Sequence, residues 1–290
     1  MAACDAPPTP HIDSVIRAAA GLASLGTRVL EAPPLSYVAP DTLAADALVI
    51  DCVGLFITRQ VSQMNAVLHL SRLGLPYASL SICRTMLELG ARFAWLVGED
   101  DVRAAKVEQW YGTVWIDEYR RHHALDDTTA DTMDELRARA LGAVGEYMSL
   151  ARAEELALVL CSEGPLPQLK GYFRPYGGRT LRAMMADAFG DDADRWYAEY
   201  RYLSSYVHVG PAATDNTVVA EVSAAGIRAV DDPNHPAVAR DALWASTRWL
   251  AQVLDDANTV LDLGIGDDIA EFVVSWRTAW QQEQRDAATT

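Results

Sequence analysis

Basic residues are scarce in this chain: 24 Lys and Arg stand against 40 Asp and Glu, a formal charge of −16 over 290 residues. That balance excludes a general attraction to nucleic acid or anionic lipid, so any anion site has to be a local basic island. Long apolar runs are also missing. The longest, Gln60 to Ser71, is bounded by Arg59 and Arg72, short of the ~18 residues a membrane span needs. No membrane contact is expected. The four cysteines, Cys4, Cys52, Cys83 and Cys161, form no pair at metal-ligand or redox spacing. Three of them sit in apolar helical patterns, where a free thiol acts as a small hydrophobe. Reduced thiols and the lack of a signal peptide pattern point to the cytoplasm. No repeat or linker divides the chain. Gly264-Ile-Gly266 has no strand before it, so it is no phosphate loop.

What is present is helical periodicity. Ile12, Val15, Ile16, Leu22 and Leu25 fit an amphipathic helix from His11 to Leu30, followed by a proline-rich connector to Pro40. Asp41 reads as the N-cap of a long helix to about Leu73, and Gly74-Leu75-Pro76 opens the next, to Val97. Asp100-Asp101 starts a helix to about Ala124, and a further one follows Asp126 to about Leu160. Two more are expected after Asn234, to about Leu263, and from Asp268 to Arg285. Between them, residues 217–230 alternate as a small β-hairpin does. The class is all-α, an elaborated helical bundle with one small β-hairpin near residues 217–230. Residues 1–40 read as an N-terminal extension with one short helix, 41–285 as a single helical domain, and 286–290 as a loose tail.

Three groups of residues carry chemistry. On the helix after Pro76, Arg84 and Glu88 are the only charges between Leu73 and Ala91, four apart. Charges on an apolar helix are expensive unless paired, so they are either an internal ion pair or face a polar pocket. The second group lies in Trp196–Pro211. Trp196, Tyr200, Leu203 and Val207 form one stripe at helical spacing, and Tyr197, Arg201, Ser204 and His208 a second beside it. Gly210-Pro211 would end that helix just past His208. The third is the stretch from Gly164 to Ala186, which has no acidic residue. There Lys170, Arg174, Arg179 and Arg182 alternate with Tyr172, Phe173 and Tyr176, cations for phosphate and rings for base stacking. The alternative is a loop whose rings plug the core and whose arginines pair with neighbouring acids. Glu118 and His122, four apart, lack the second carboxylate–histidine pair that a di-iron bundle uses. No metal and no cofactor is expected.

Arg84-Thr-Met-Leu-Glu88 together with Tyr200-Arg-Tyr-Leu-Ser-Ser-Tyr-Val-His208 resembles an uncharacterised bacterial all-helical family similar to the HEPN superfamily, over roughly residues 45–265. HEPN nucleases carry an Arg, four to six residues, then a His; Arg201 and His208, with six between, match that spacing. The resemblance implies a metal-independent endoribonuclease of toxin or phage-defence type. His208 would be the base, Arg201 the cation steadying the phosphorane, and Ser204 the residue orienting the imidazole. Arg84, Glu88 and Tyr197 would support them. Where active nucleases place a polar residue after the Arg, this chain has Tyr202. A non-catalytic nucleotide- or RNA-binding protein, or an oligomerising one, therefore stays open as the alternative. The resemblance also implies a homodimer, a state that eight tryptophans on amphipathic helices would favour through exposed apolar surface. RNA, a nucleotide or a protein is the expected partner.

Overall fold

The computed structural model describes residues 13–39, 42–125, 129–145, 150–160, 175–207, 218–223, 226–231 and 236–289. In chain order its helices are α1 (Asp13–Glu31), α2 (Ala44–Arg72), α3 (Pro76–Val97), α4 (Arg103–Leu125), α5 (Ala130–Gly145) and α6 (Leu150–Leu160). A 3₁₀ turn (Pro175–Gly178) leads to α7 (Leu181–Phe189) and α8 (Ala193–Val207), and α9 (Pro236–Leu261) and α10 (Gly266–Thr289) complete the set. The class is all-α.

The bundle is organised around α3. Its sequence favours a helix: Pro76 occupies the first turn, Leu, Ala and Met fill the middle, and Gly74 at φ 70° makes the tight turn out of α2. Two cations from the next segment satisfy its last carbonyls. Arg103 Nε donates to Val97 O at 2.8 Å and Lys106 Nζ to Trp95 O at 3.1 Å. On one side α3 packs against α2 and α9, on the other against α7 and α8. Gly90 lets α9 come close: a Cβ there would lie 2.5 Å from Trp249 Cε3. Gly26 does the same between α1 and α2, facing Val61. The buried Cys83 thiol donates to Ala242 O at 3.1 Å, and Gln60 Nε2, fully buried, donates to Met86 O at 2.8 Å. These two polar bridges tie α3 to α9 and α2 to α3 at fixed positions.

Several boundaries differ from those expected. The position before α2 is Leu43, which makes no side-chain cap bond; Asp41, the expected N-cap, lies outside the described residues. Asp100 does not start α4 as a cap; it forms an ion pair with Arg103. In place of the single helix expected from Asp126 to Leu160 there are two described helices, α5 and α6, which pack on each other; residues 146–149 lie outside the described residues. α5 begins behind Thr129, whose hydroxyl accepts from Thr132 N at 3.4 Å. Cys52 and Cys83 are buried free thiols, and burial pushes the Cys52 thiol up to about 12. Of the tryptophans expected to supply exposed surface, Trp95, Trp249 and Trp276 are buried, and Trp110, Trp196 and Trp280 are half-buried. Trp244 is exposed, its ring tilted against Trp276 and Trp280 at 6.4 and 5.1 Å. No described helix is long and apolar enough to cross a membrane.

Candidate functional site

The charged stripe of α3 meets α8. Arg84 Nε donates to Glu88 Oε1 at 3.0 Å, both side chains about four-fifths buried at 21% and 20% exposure. Arg84 also donates through Nη2 to the Tyr200 hydroxyl at 3.2 Å, with its guanidinium 5.3 Å from the Tyr200 ring centre. Burial works against the Arg84 cation, but Tyr200 and Glu88 outweigh it and raise its pKa above the ordinary guanidinium value. Arg92, one turn further along α3, approaches Glu88 Oε2 at 3.6 Å. Two guanidinium groups therefore share one carboxylate. Arg92 was not foreseen, although its spacing of four from Glu88 is visible in the sequence.

α8 is held from a second direction. Arg248 of α9 forms an ion pair with Glu199 and lies 4.2 Å over the Trp196 ring. Burial lowers the Arg248 pKa, with Glu199 opposing. Trp196 in turn packs edge-on to Trp249 and Phe189 at 5.4 and 6.1 Å. The Glu199–Arg248 pair was not foreseen, because nothing local links residues 49 apart.

The two stripes read along α8 divide differently in three dimensions. Leu203 is buried and Trp196 and Tyr200 are half-buried, but Val207 is exposed. In the second stripe Tyr197 stacks on Tyr200 at 5.7 Å, Arg201 is exposed, and the Ser204 hydroxyl is buried without a partner among the described residues. Tyr197, Arg201 and Ser204 share a face of α8 but make no hydrogen bond with one another. The described helix ends at Val207. His208 lies outside the described residues, as do Lys170, Tyr172 and Arg174. Tyr202 donates to Asp241 at 3.0 Å and accepts from Tyr206 at 2.9 Å; burial, with those partners, raises its pKa.

The described part of the basic island is neutralised by acids just beyond it. Arg179 pairs with Asp187, and Arg182 with Asp194 at 2.9 Å while lying 5.3 Å over the Tyr197 ring. Thr180 caps α7 as expected, accepting from Ala183 N at 3.2 Å. Tyr176 sits between Arg92 and Trp95 at 5.2 and 6.2 Å. Glu118 is held by Arg121, and by His122 at 3.1 Å; these keep its carboxyl below the ordinary range. That is a solvated helix-end pair.

A family model matches residues 51–223, a span that contains α3, α7, α8 and both motifs. The chain belongs to the Family of unknown function (DUF5677). Comparisons with curated proteins and with solved structures find no match. The DUF5677 region thus unites the Arg84–Glu88–Arg92 stripe and the α8 residues stacked on it, while Arg248 and Asp241, which fasten α8 from α9, lie beyond it.

Proposed function

We propose that this DUF5677 chain is a HEPN-like protein that binds RNA along α8 and cleaves it without metal, as a toxin or defence ribonuclease does. The observation that carries the reading is how α8 is held. Arg84 grips it through Tyr200 and Arg248 through Glu199, while Arg201 remains exposed to solvent. A guanidinium on a fixed helix is preorganised to meet a phosphorane, which carries charge in the transition state that the ground state lacks. The buried Ser204 hydroxyl, without a partner among the described residues, is free to orient the imidazole of His208 four residues on. That imidazole would take the 2′-hydroxyl proton. Lys170, Arg174, Arg179, Arg182, Tyr172 and Tyr176 would bind the strand. A cytoplasmic homodimer fits the same reading, with residues 41–285 as its one domain. A short hairpin would follow α8; the antiparallel register from Val218 opposite Asp231 to Ser223 opposite Gly226 supports it.

The second reading is binding without cleavage. It draws on Tyr202, which follows Arg201 and is fastened to Asp241 instead of facing a substrate.

The test is an RNA-cleavage assay in excess chelator, with a melt of each variant. Cleavage by the wild type, its loss in His208→Ala, and a loss of about tenfold or more in Arg201→Lys are expected, because an ammonium cannot reproduce the bidentate contact. Lys170→Ala with Arg174→Ala should flatten the salt dependence of binding. Binding that survives with no cleavage selects the second reading. Neither binding nor cleavage, with His208→Ala unfolding the chain, makes the motif structural.

A further inference from the structure

A cleft of about 640 Å³ opens between α3, α4, the 3₁₀ turn and the start of α7. We propose that it binds a small ligand consisting of one planar ring and one anionic group. The size falls within the ~300–1,000 Å³ of small-molecule sites.

The cation is Arg92. Its side chain lines the cleft a third exposed, and its guanidinium shares Glu88 with Arg84, so this corner carries two cations against one carboxylate. An anion would balance the second cation. Arg179, already paired with Asp187, edges the same cleft. The ring has its own walls: Trp110, Tyr176 and the soft side chain of Met184. Tyr176 reaches its place only by adopting a left-handed backbone, φ 62°, with Gly178 at φ 72° two residues on. A bulky aromatic pays for that conformation in strain, and such strain concentrates at binding sites. The reward within the fold is modest, an edge contact with Trp95 and a place beside the Arg92 guanidinium. On the opposite wall the exposed Asp117 carboxylate is an acceptor for ring or sugar donors. Neither a bare anion nor a bare hydrocarbon uses both halves of this lining.

A nucleoside phosphate and an aromatic carboxylate share that chemistry, and titration separates them. The probes for the full-length chain are AMP and indole-3-acetate, with adenosine, indole and inorganic phosphate as half-ligands. One acid is expected to bind at least tenfold more tightly than its half-ligands, and which one binds names the anion. Arg92→Ala should weaken it by about tenfold or more, and Arg92→Lys should restore little, since an ammonium cannot reproduce the planar guanidinium fork. Asp117→Asn, on an exposed position, should change the affinity for AMP several-fold and that for indole-3-acetate less.

If neither acid binds the wild type at millimolar concentration, the proposal falls. It falls equally if Arg92→Ala, melting as the wild type does, binds with unchanged affinity. Should Arg92→Ala fail to fold, Asp117→Trp, which fills the cleft from its open side, must abolish binding; undiminished binding then overturns the proposal. The site shares Tyr176 and Arg179 with the RNA surface but does not rest on cleavage. A wild type that cuts RNA and binds neither acid overturns the cleft alone. One that binds an acid and neither binds nor cuts RNA overturns the RNA reading alone.

Discussion

The face of α3 that meets α9 and the face that meets α8 are built by opposite means. Toward α2 and α9, Cys83, Met86, Leu87, Gly90 and Phe93 are buried, and the contact with α9 is tight enough that Gly90 has no room for a methyl group beside Trp249. Toward α8, Arg84, Glu88 and Arg92 remain a fifth to a third exposed and are joined to Tyr200 and Tyr176 by charge and ring contacts. The first face gains from area removed from water and from close packing. The second gains little, because the attraction within a largely buried ion pair is mostly offset by the desolvation of its charges. What the second face does is set direction: a guanidinium fork tied to a carboxylate and a phenol holds α8 at one rotation. Stability sits on one side of α3, and positioning on the other.

Removing the largest side chain from the apolar face should cost most. Trp249→Ala, at 1% exposure, should lose about 3–5 kcal/mol in urea unfolding. A loss below about 1 kcal/mol would mean that the two faces do not differ as described. Next comes the bridge between α8 and α9. Glu199→Gln strands Arg248 against Trp196 and should cost about 2 kcal/mol, read as a lower urea midpoint with an unchanged slope. An unchanged midpoint would show that Arg248 does not need its acid.

The apolar side also contains one misplaced acid, Asp256 on α9. Gln252 donates to its Oδ1 at 2.9 Å, and Oδ2 is buried without a partner. Burial lifts its pKa from 3.8 to about 6. The unfolded chain ionises this group near 3.8, so from there up to about 6 the unfolded state sheds a proton that the folded state still holds. Stability is therefore lost as pH rises through that window, and the loss is complete above it. Asp256→Asn should stabilise the protein by about 1–2 kcal/mol at pH 7.5 and by nothing at pH 3.5. Melts of both forms across that range check it, and a gain independent of pH would contradict the assignment. Smallest is the stripe itself. A double-mutant cycle of Arg84→Ala and Glu88→Ala should give a coupling of only about 0.5 kcal/mol, while each single change loosens α8 as seen by hydrogen exchange. A coupling of several kcal/mol would make the charged face a stability device after all.

Much of the fold was legible because it is local. α1, α2 and α3 appear where the apolar spacing put them, since a helix buries its stripe whatever it packs on. Thr180 as the cap of α7 and Pro76 opening α3 were readable for the same reason. The division into α5 and α6 was not, because the periodicity of Met133 to Leu158 runs through both helices while their packing on each other is a tertiary contact. In the candidate site, the sequence determined that Arg84 and Glu88 need each other on an apolar helix and that Arg201 and Ser204 share the helix of Tyr200. It also set the island of arginines and rings. Only the tertiary structure decided that Tyr200 completes the Arg84 network, that Asp187 and Asp194 neutralise Arg179 and Arg182, and that Arg92 and Tyr176 edge one cleft. Helix formation is decided by neighbours three and four residues away. Which charge finds which partner is decided by whatever the fold brings within a few ångströms, and sequence distance carries no information about that.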